Sequence, residues 1–226
     1  SFIRRSSSSS TPTVTLTLCS PRICTPLPLF TGLGSIIPIT ILHHNDSHGN
    51  LVKTSYVGYT QLATLIKQER ACNPDRNLLL TAGDNIQGDA MMYYFKSAPL
   101  GYTADGTPLP VGMDPDHPLM KAFNYMEYDA MTLGNHEFNF GSEIFKAVMG
   151  EAEFPVLQAN IYENSATPYG LAAVGVQPYT VKSVGPEGID VAILGIGNHR
   201  IPNYELPSNI PGLGFLNPVS TASYYA

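Results

Sequence analysis

Three times between residues 39 and 137, a short apolar run ends abruptly in a cluster of polar residues and glycines. The apolar runs cover residues 39–42, 78–81 and 130–133. A continuous apolar run of this length predicts a strand that is buried on both faces, and the change to polar residues marks where the strand leaves the core. In a mostly parallel sheet, such loops all open at the carboxyl edge. The pattern therefore predicts an α/β fold whose polar clusters meet in one crevice.

Helical segments alternate with these strands and complete the α/β pattern. Residues 97–117 are rich in Gly, Pro and Asp and are predicted to form a surface excursion on the site side of the domain. Apolar residues at helical spacing and further apolar runs define the other elements. We expect a layered fold around a mostly parallel central sheet, with helices at residues 61–70, 90–95, 119–126 and 142–149 and later strands at residues 155–159, 179–184 and 191–196.

Composition favours one ordinary domain and excludes some partners. The chain has 226 residues, of which 43% are hydrophobic, and this is enough for one core. A net charge of -6 argues against duplex nucleic acid as a partner, because that binding relies on clustered Lys and Arg. An acidic chain can still bind a phosphate ester, since metal ions often supply the largest local charge in such a site.

Residues 1–37 are predicted to form a disordered low-complexity leader, and residues 38–226 are assigned to the domain. The leader combines Arg4 and Arg5 with a serine run and scattered prolines. Its apolar stretches are too short to span a membrane. A signal-like alternative rests on residues 27–37, which Pro and Gly interrupt, so a signal peptide is not evident. Because the chain begins with Ser1, we expect a fragment or a processed product.

The three cysteines, Cys19, Cys24 and Cys72, are too few and odd in number for a disulfide framework. A single bridge between Cys19 and Cys24 remains open. No cysteine lies near a polar cluster or has Cys-x-x-Cys spacing, so we expect none of them to do chemistry.

The first two polar clusters contain side chains that bind divalent metals. Asp46 and His48 are one residue apart, so in an extended loop a carboxylate oxygen and an imidazole nitrogen can turn to the same side. Asp84 follows Gly83, which permits a tight bend, and its carboxylate can bridge two cations. Taken singly, each cluster also fits an ordinary solvated loop. Taken with the third cluster, they favour a metal site.

The third cluster adds an amide and a second imidazole. Asn135 supplies a neutral oxygen and His136 a ring nitrogen, and their adjacency lets one bind metal while the other faces the substrate. Gly134 permits the bend after the strand. The alternative for His136 is a histidine that caps the core.

The chain resembles a known family in these clusters. The family is that of the calcineurin-like metallophosphoesterases, in the branch of 5′-nucleotidases and 2′,3′-cyclic-nucleotide 2′-phosphodiesterases, and the resemblance covers about residues 39–226. It implies the metallophosphoesterase-type fold and two-metal hydrolysis of nucleotide phosphate esters. The matching segments are Asp46-x-His48, Gly83-Asp84-x-x-Gln87-Gly88 and Gly134-Asn135-His136-Glu137.

The resemblance also implies a role for each site residue. Asp46 and His48 would hold the first metal. Asp84 would bridge both metals and Asn135 would hold the second. His136 would stabilise the attacked phosphate or protonate the leaving oxygen. The implied cofactors are two divalent ions, Zn²⁺, Mn²⁺ or Fe²⁺, because mixed oxygen and nitrogen ligands suit all three.

Three further residues are candidates for substrate contact or for shaping a site loop. Asn85 and Gln87 follow Asp84 in the second cluster, and His199 follows the apolar run at residues 191–196.

Asn139 departs from the 5′-nucleotidase pattern. In that pattern an Asp three residues after the catalytic His orients it, whereas this chain has the neutral Asn139 three residues after His136. An amide still accepts the imidazole N–H, but it supports a positive ring less well than a carboxylate does. Asn at this place resembles the cyclic-phosphodiesterase and 3′-nucleotidase members. We therefore assign Asn139 to the catalytic pair, and it shifts the expected substrate modestly toward cyclic nucleotides and 3′-phosphates, while the 5′-nucleotidase type remains open.

The family's ligand set is incomplete before Ala226, because its later His and its Gly-His-x-His loop are not present. We expect the full-length parent to act on a small-molecule nucleotide. This piece would lack the rest of the catalytic domain and a substrate-specificity domain, so we expect it to be weakly active or inactive. The alternative is a non-catalytic remnant or binding module. By resemblance alone, the location would be extracellular, periplasmic or at the cell surface.

Overall fold

A computed structural model of the chain describes residues 37–51 and 58–226. At its centre, neighbouring strands of a four-stranded sheet all pair in parallel. The predicted parallel sheet is confirmed, and a polar cluster follows each of its first three strands. The strands lie in the order β1-β2-β3-β4 and are Thr40–His44, Asn77–Thr81, Ala130–Thr132 and Val156–Leu157.

Five α-helices flank the strands within the described ranges. The first four were predicted to within two residues at each end, because their apolar residues recur at helical spacing. The fifth lies in the final residues, where Asn217 caps it by accepting a hydrogen bond from the backbone N–H of Val219 over 2.9 Å. The helices are α1 Tyr59–Cys72, α2 Ala90–Phe95, α3 Pro118–Tyr125, α4 Gly141–Met149 and α5 Pro218–Tyr225.

The sheet separates two apolar clusters. Successive residues of β2 serve opposite faces, with Leu79 in the larger cluster and Leu78 in the smaller one. This double burial explains why β2 is an unbroken apolar run. In the larger cluster, Phe123 of α3 stacks on Tyr128 with ring centroids 4.3 Å apart. Helices therefore cover one face of the sheet.

A β-hairpin contributes to the smaller cluster. Its strands, β6 (Tyr179–Val184) and β7 (Ile189–Leu194), pair antiparallel. Val184 and Val191 pack there. The sequence predicted both strands, but β7 starts two residues earlier than expected, and the pair forms its own two-stranded sheet. Gln177, two residues before β6, links the hairpin to β4 by donating its backbone N–H to the carbonyl of Val156 over 3.1 Å.

A second small antiparallel pair was not predicted. It joins β5 (Ile161–Glu163) to β8 (Leu213–Phe215), which are about fifty residues apart in the chain. Each strand has only three residues, too few to show a periodic pattern.

Several predictions concern parts of the chain that the structure describes only partly. Residues 1–36 of the predicted leader, which include Cys19 and Cys24, lie outside the described residues. Cys72, at the end of α1, is disulfide-bonded.

The predicted excursion at residues 97–117 is mostly exposed, but Thr103 and His117 are buried and anchor it. Over the described ranges, no helix has the length and apolar character to cross a bilayer.

Candidate metal centre

Backbone hydrogen bonds hold the first two polar loops side by side. The N–H of Asp46 donates to the carbonyl of Gly83 over 3.0 Å, and the N–H of His48 donates to the carbonyl of Asp84 over 3.0 Å. The loops after β1 and β2 therefore stay together beyond the sheet edge. This brings the predicted ligands of the first and second clusters into one place.

Three predicted ligands share an uncommon backbone conformation. Asp46, His48 and Asp84 have φ values of 52°, 47° and 58°, in the left-handed region. Within the described residues only Asp75 and Glu127 are other non-glycine examples. Such residues each cost on the order of 1–3 kcal/mol and persist where the surrounding structure fixes them. Three of the five such residues in the described part of the chain are therefore predicted metal ligands on two adjoining loops.

Glycines bring the second and third clusters into backbone contact. A Cβ atom on Gly83 would lie 2.2 Å from the backbone nitrogen of Gly134, and one on Gly134 would lie 2.3 Å from Oδ1 of Asp84. A Cβ atom on Gly88 would lie 2.6 Å from Cβ of His48. Only glycine fits these positions without displacing a predicted ligand.

The carboxylate of Glu137 links the loop of the second cluster to the loop of the third. Glu137 is completely buried, and its carboxylate accepts the backbone N–H groups of Asp84, Asn85 and Gly134 over 2.9, 2.7 and 2.7 Å. Burial raises the pKa of Glu137, and the three N–H donors oppose that shift. Glu137 thus fixes the backbone from which Asp84 projects.

His48 is oriented so that one ring nitrogen remains available. Its Nδ1 lies 2.8 Å from the carbonyl oxygen of Gln87, which can only accept, so Nδ1 carries the proton. Nε2 then has a free lone pair and lies 3.8 Å from Oδ1 of Asp46. The His48 ring is also close to His136, with ring centroids 4.8 Å apart. The first and third clusters therefore meet at these two imidazoles.

Asp84 and Asn135 retain free oxygens. Oδ1 of Asp84 accepts the backbone N–H of His136 over 2.8 Å, while Oδ2 has no hydrogen-bond partner in the described part of the chain. Asn135 precedes the 3₁₀ turn His136–Phe138, and its side chain likewise makes no hydrogen bond to a described residue. Both side chains can therefore supply oxygen ligands.

The side chain of His136 is held through its other ring nitrogen. Nδ1 lies 2.5 Å from Oδ1 of Asn139, and the amide group of Asn139 donates onward to the carboxylate of Glu205. The structure thus brings the two predicted catalytic residues together. It adds an acidic residue that the sequence analysis did not single out.

The three loop candidates differ in position. Asn85 is completely buried, accepts the Ser47 hydroxyl over 2.6 Å and donates to Thr81 over 3.1 Å, so it shapes the loop from inside. Gln87 acts through its carbonyl on His48. His199 lies in the loop after β7. Within the described part of the chain, it makes no hydrogen bond or ring contact with a site residue.

Sequence reasoning missed three residues of this region. Glu137 was part of the recognised third motif but was given no role, and an acid inside a polar cluster that follows a strand was the available signal. Glu205 and Tyr204 lie in a Pro-rich segment more than sixty residues later, where nothing local marked them. Burial first, then the Asp84 carboxylate, raises the pKa of Tyr204, whose hydroxyl accepts the side-chain amide of Asn198 over 2.7 Å.

The chemistry of the donors fits a divalent metal. Asp46 and Asp84 offer carboxylate oxygens, His48 a ring nitrogen and Asn135 an amide oxygen, a mixed set that suits first-row divalent ions. Among the described residues, no group of three or more His, Cys, Asp or Glu forms a metal-holding cluster by itself.

Fold and site together define a class of protein: an α/β domain that gathers oxygen and nitrogen donors on the loops at the carboxyl edge of a parallel sheet. The family comparison agrees with this class. The model of the calcineurin-like phosphoesterase family matches residues 39–214, and the chain belongs to that family.

Several individual relatives are named 5′-nucleotidases. The chain is 30% identical over 231 residues to snake venom 5′-nucleotidase of Gloydius brevicauda, covering 97% of this chain and 34% of that protein. It is 30% identical over 205 residues to 5′-nucleotidase of Homo sapiens, covering 82% and 32%. The solved 5′-nucleotidase precursor from Thermus thermophilus superposes with a TM-score of 0.64 at 26% identity, covering 83% of this chain and 33% of that one. The chain thus spans about one third of the length of these relatives.

Proposed function

We propose that the protein carrying this chain hydrolyses nucleotide phosphate esters with two divalent metal ions. The observation that carries the proposal is the hydrogen-bonded pairing of the loops after β1 and β2, which places Asp46, His48 and Asp84 on adjoining stretches of strained backbone. Relatives whose names are nucleotidases support the nucleotide as substrate. We assign residues 38–226 to the catalytic unit, and the family match over residues 39–214 supports this.

Four side chains would hold the metals. Asp46 and His48 would bind one ion through Oδ1 and Nε2. Asp84 would lie between the ions, and Asn135 would bind the second through its amide oxygen. When bound, the ions would polarise the phosphate and lower the pKa of a water molecule. Glu137 and the glycines keep these side chains in register.

His136 would act on the substrate. Because Asn139 holds Nδ1, the other ring nitrogen, Nε2, is free to face the phosphate. With Nδ1 protonated toward Asn139, Nε2 carries a proton when the ring is the imidazolium ion, and that proton would stabilise a phosphate oxygen or pass to the leaving oxygen. Because the His136 ring lies beside that of His48, the proton on His136 would be close to the metal that His48 would bind.

Two observations bear on the substrate preference, and they favour different nucleotides. Asn139 favours 2′,3′-cyclic nucleotides and 3′-phosphates, whereas several relatives are named 5′-nucleotidases. The activity should therefore be measured on 2′,3′-cyclic AMP, 3′-AMP and 5′-AMP in parallel.

The proposal is tested by steady-state hydrolysis with the complete gene product and added Mn²⁺ or Zn²⁺. Asp46→Asn and His136→Ala should lower kcat/KM by at least about 100-fold, because the first replaces a charged metal ligand with a neutral, weaker one and the second removes the proton donor. Asp75→Asn is the matched control, since Asp75 also has a positive φ but lies away from the site, before β2. It should leave kcat/KM within about twofold.

Two results would overturn the proposal. One is failure of the wild-type protein to hydrolyse any of the three nucleotides in the presence of metal. The other is unchanged kcat/KM in both Asp46→Asn and His136→Ala.

We also propose a location outside the cytoplasm, extracellular, periplasmic or at the cell surface. The disulfide at Cys72 supports it, because such bonds persist in oxidising compartments. Relatives named as venom proteins support it too. Cell fractionation that recovered the native protein only with cytoplasmic markers would contradict this.

A further inference from the structure

A partly buried chain of three polar side chains, His136, Asn139 and Glu205, leads away from the candidate site. Oδ1 of Asn139 lies 2.5 Å from Nδ1 of His136, and the Asn139 amide nitrogen donates to Oε2 of Glu205. Glu205 is 8% exposed and follows the 3₁₀ turn Ile201–Asn203. This turn is remote in sequence from the third polar cluster but adjacent to it in space.

Glu205 is itself held in place. Its Oε1 accepts the backbone N–H of Leu206 over 2.8 Å and the side-chain amide of Asn209 over 2.9 Å. Asn209 also donates to the backbone carbonyl of Asn139 over 2.9 Å. Both oxygens of the carboxylate are thus occupied, and one of them faces the Asn139 side chain.

The carboxylate determines which way the Asn139 amide points. An ionised carboxylate only accepts hydrogen bonds, so the NH₂ group of Asn139 must face Glu205. The amide oxygen then faces His136 and requires a proton on Nδ1. A flipped amide would offer N–H groups to Nδ1, and only the opposite ring tautomer could accept them.

We propose that Glu205 is a positioning residue of the phosphoesterase site, which fixes the Asn139 amide and, through it, the orientation and tautomer of His136. This inference rests on the proposed function for its catalytic consequence. Without Glu205, the Asn139 amide could present either its oxygen or its NH₂ group to the imidazole. The pair of Asn139 and Glu205 together presents one acceptor oxygen to the ring.

The first test is spectroscopic and does not need activity. Long-range ¹H–¹⁵N NMR identifies the protonated ring nitrogen of His136 in the 226-residue chain, at a pH about two units above the ordinary histidine pKa of 6.5. The wild type should show the tautomer with hydrogen on Nδ1. Glu205→Gln should show a mixture, because its carboxamide can either donate or accept. A single unchanged tautomer in Glu205→Gln would overturn the proposal.

The second test exchanges the acid and the amide. Glu205→Gln in the complete gene product should lower kcat by about 10-fold with KM within about twofold. Asn139→Asp alone places two carboxylates in contact and should also lower kcat. The double variant Asn139→Asp with Glu205→Gln restores one acid and one amide, so kcat should return to within about threefold of wild type. No recovery in the double variant would overturn the proposal.

Glu163→Gln is the matched control. Like Glu205, Glu163 accepts three N–H donors, in its case the backbone N–H groups of Gly170, Leu171 and Ala172, and it has no hydrogen bond to His136 or Asn139. It should change neither the tautomer nor kcat, and a change as large as that of Glu205→Gln would overturn the proposal. Should the wild-type enzyme hydrolyse no nucleotide, the proposed function fails while the tautomer result still decides the positioning role.

Discussion

Glu137 shows how a single residue organises this site without touching a substrate. It has no solvent access, yet both of its carboxylate oxygens accept backbone N–H groups from the loops that carry Asp84 and Asn135. Burying a carboxylate costs free energy unless such donors compensate it. The compensation here comes from the backbone of the site, so the loop geometry and the burial of Glu137 depend on each other.

Replacing Glu137 with Gln should therefore destabilise the fold. The amide NH₂ would face backbone N–H groups, which we expect to cost about 3 kcal/mol of unfolding free energy. Glu163→Gln is the control, because Glu163 makes three similar bonds at a partly exposed position, where water can compensate; about 1 kcal/mol is expected. Urea unfolding of the two variants gives the comparison. Equal losses would contradict a special role for the buried carboxylate.

Only some of the site residues could be predicted from the sequence. Asp46, His48, Asp84 and Asn135 were predicted because each lies in a polar cluster that follows an apolar run, and the structure brings their loops together. Glu205 could not be predicted, because its partner Asn139 is 66 positions away and no periodicity links them. Hydrogen bonds between distant loops leave no local pattern.

At the scale of the element, strand ends and glycines determine the crevice. The parallel pairing of β1, β2 and β3 aligns the three loops, and Gly83 lets the second loop approach the third. The parallel strands were predictable because burial on both faces gives a continuous apolar run. The antiparallel pair β5-β8 was not, because its three-residue strands carry no period.

Gly83→Ala should lower the free energy of unfolding by more than the strain of a positive φ alone would. Gly83 has φ of +90° and a Cβ there would meet backbone atoms of Gly134 and Thr132 within 2.8 Å. Gly106 has φ of +83° with nothing within 4 Å, so Gly106→Ala isolates the left-handed strain, about 1–2 kcal/mol. Gly83→Ala should lose at least about 2 kcal/mol more in thermal or urea unfolding. Similar losses for the two variants would show that the close approach does not matter.

At the scale of the whole molecule, the sheet divides a large helical core from a small one under the β6-β7 hairpin. Away from the site, Glu151 accepts the backbone N–H of His117 over 2.8 Å, where the excursion rejoins the domain. Burial raises the pKa of Glu151 to about 7; the His117 N–H and Lys121 oppose this, while Asp116 and Asp114 add to it.

This pKa predicts how stability depends on pH. A carboxyl group whose pKa is higher in the folded state than in the unfolded state stabilises the fold below its ordinary value of 4.5, and this contribution is lost as the pH rises through about 7. The unfolding free energy of wild type minus that of Glu151→Gln should therefore fall over this range. Because Glu151 is partly exposed, we expect a fall of only about 1 kcal/mol. A difference that stays flat from pH 4.5 to pH 7 would contradict the prediction.

Metal reconstitution tests the central claim most directly. The complete gene product is stripped with a chelator, and hydrolysis of 2′,3′-cyclic AMP, 3′-AMP and 5′-AMP is measured before and after addition of Mn²⁺ or Zn²⁺. We predict that stripping abolishes hydrolysis and that metal restores it in the wild type, while Asp84→Asn remains at least about 100-fold slower. Hydrolysis that survives stripping, or an Asp84→Asn variant that metal restores to the wild-type rate, would contradict the account.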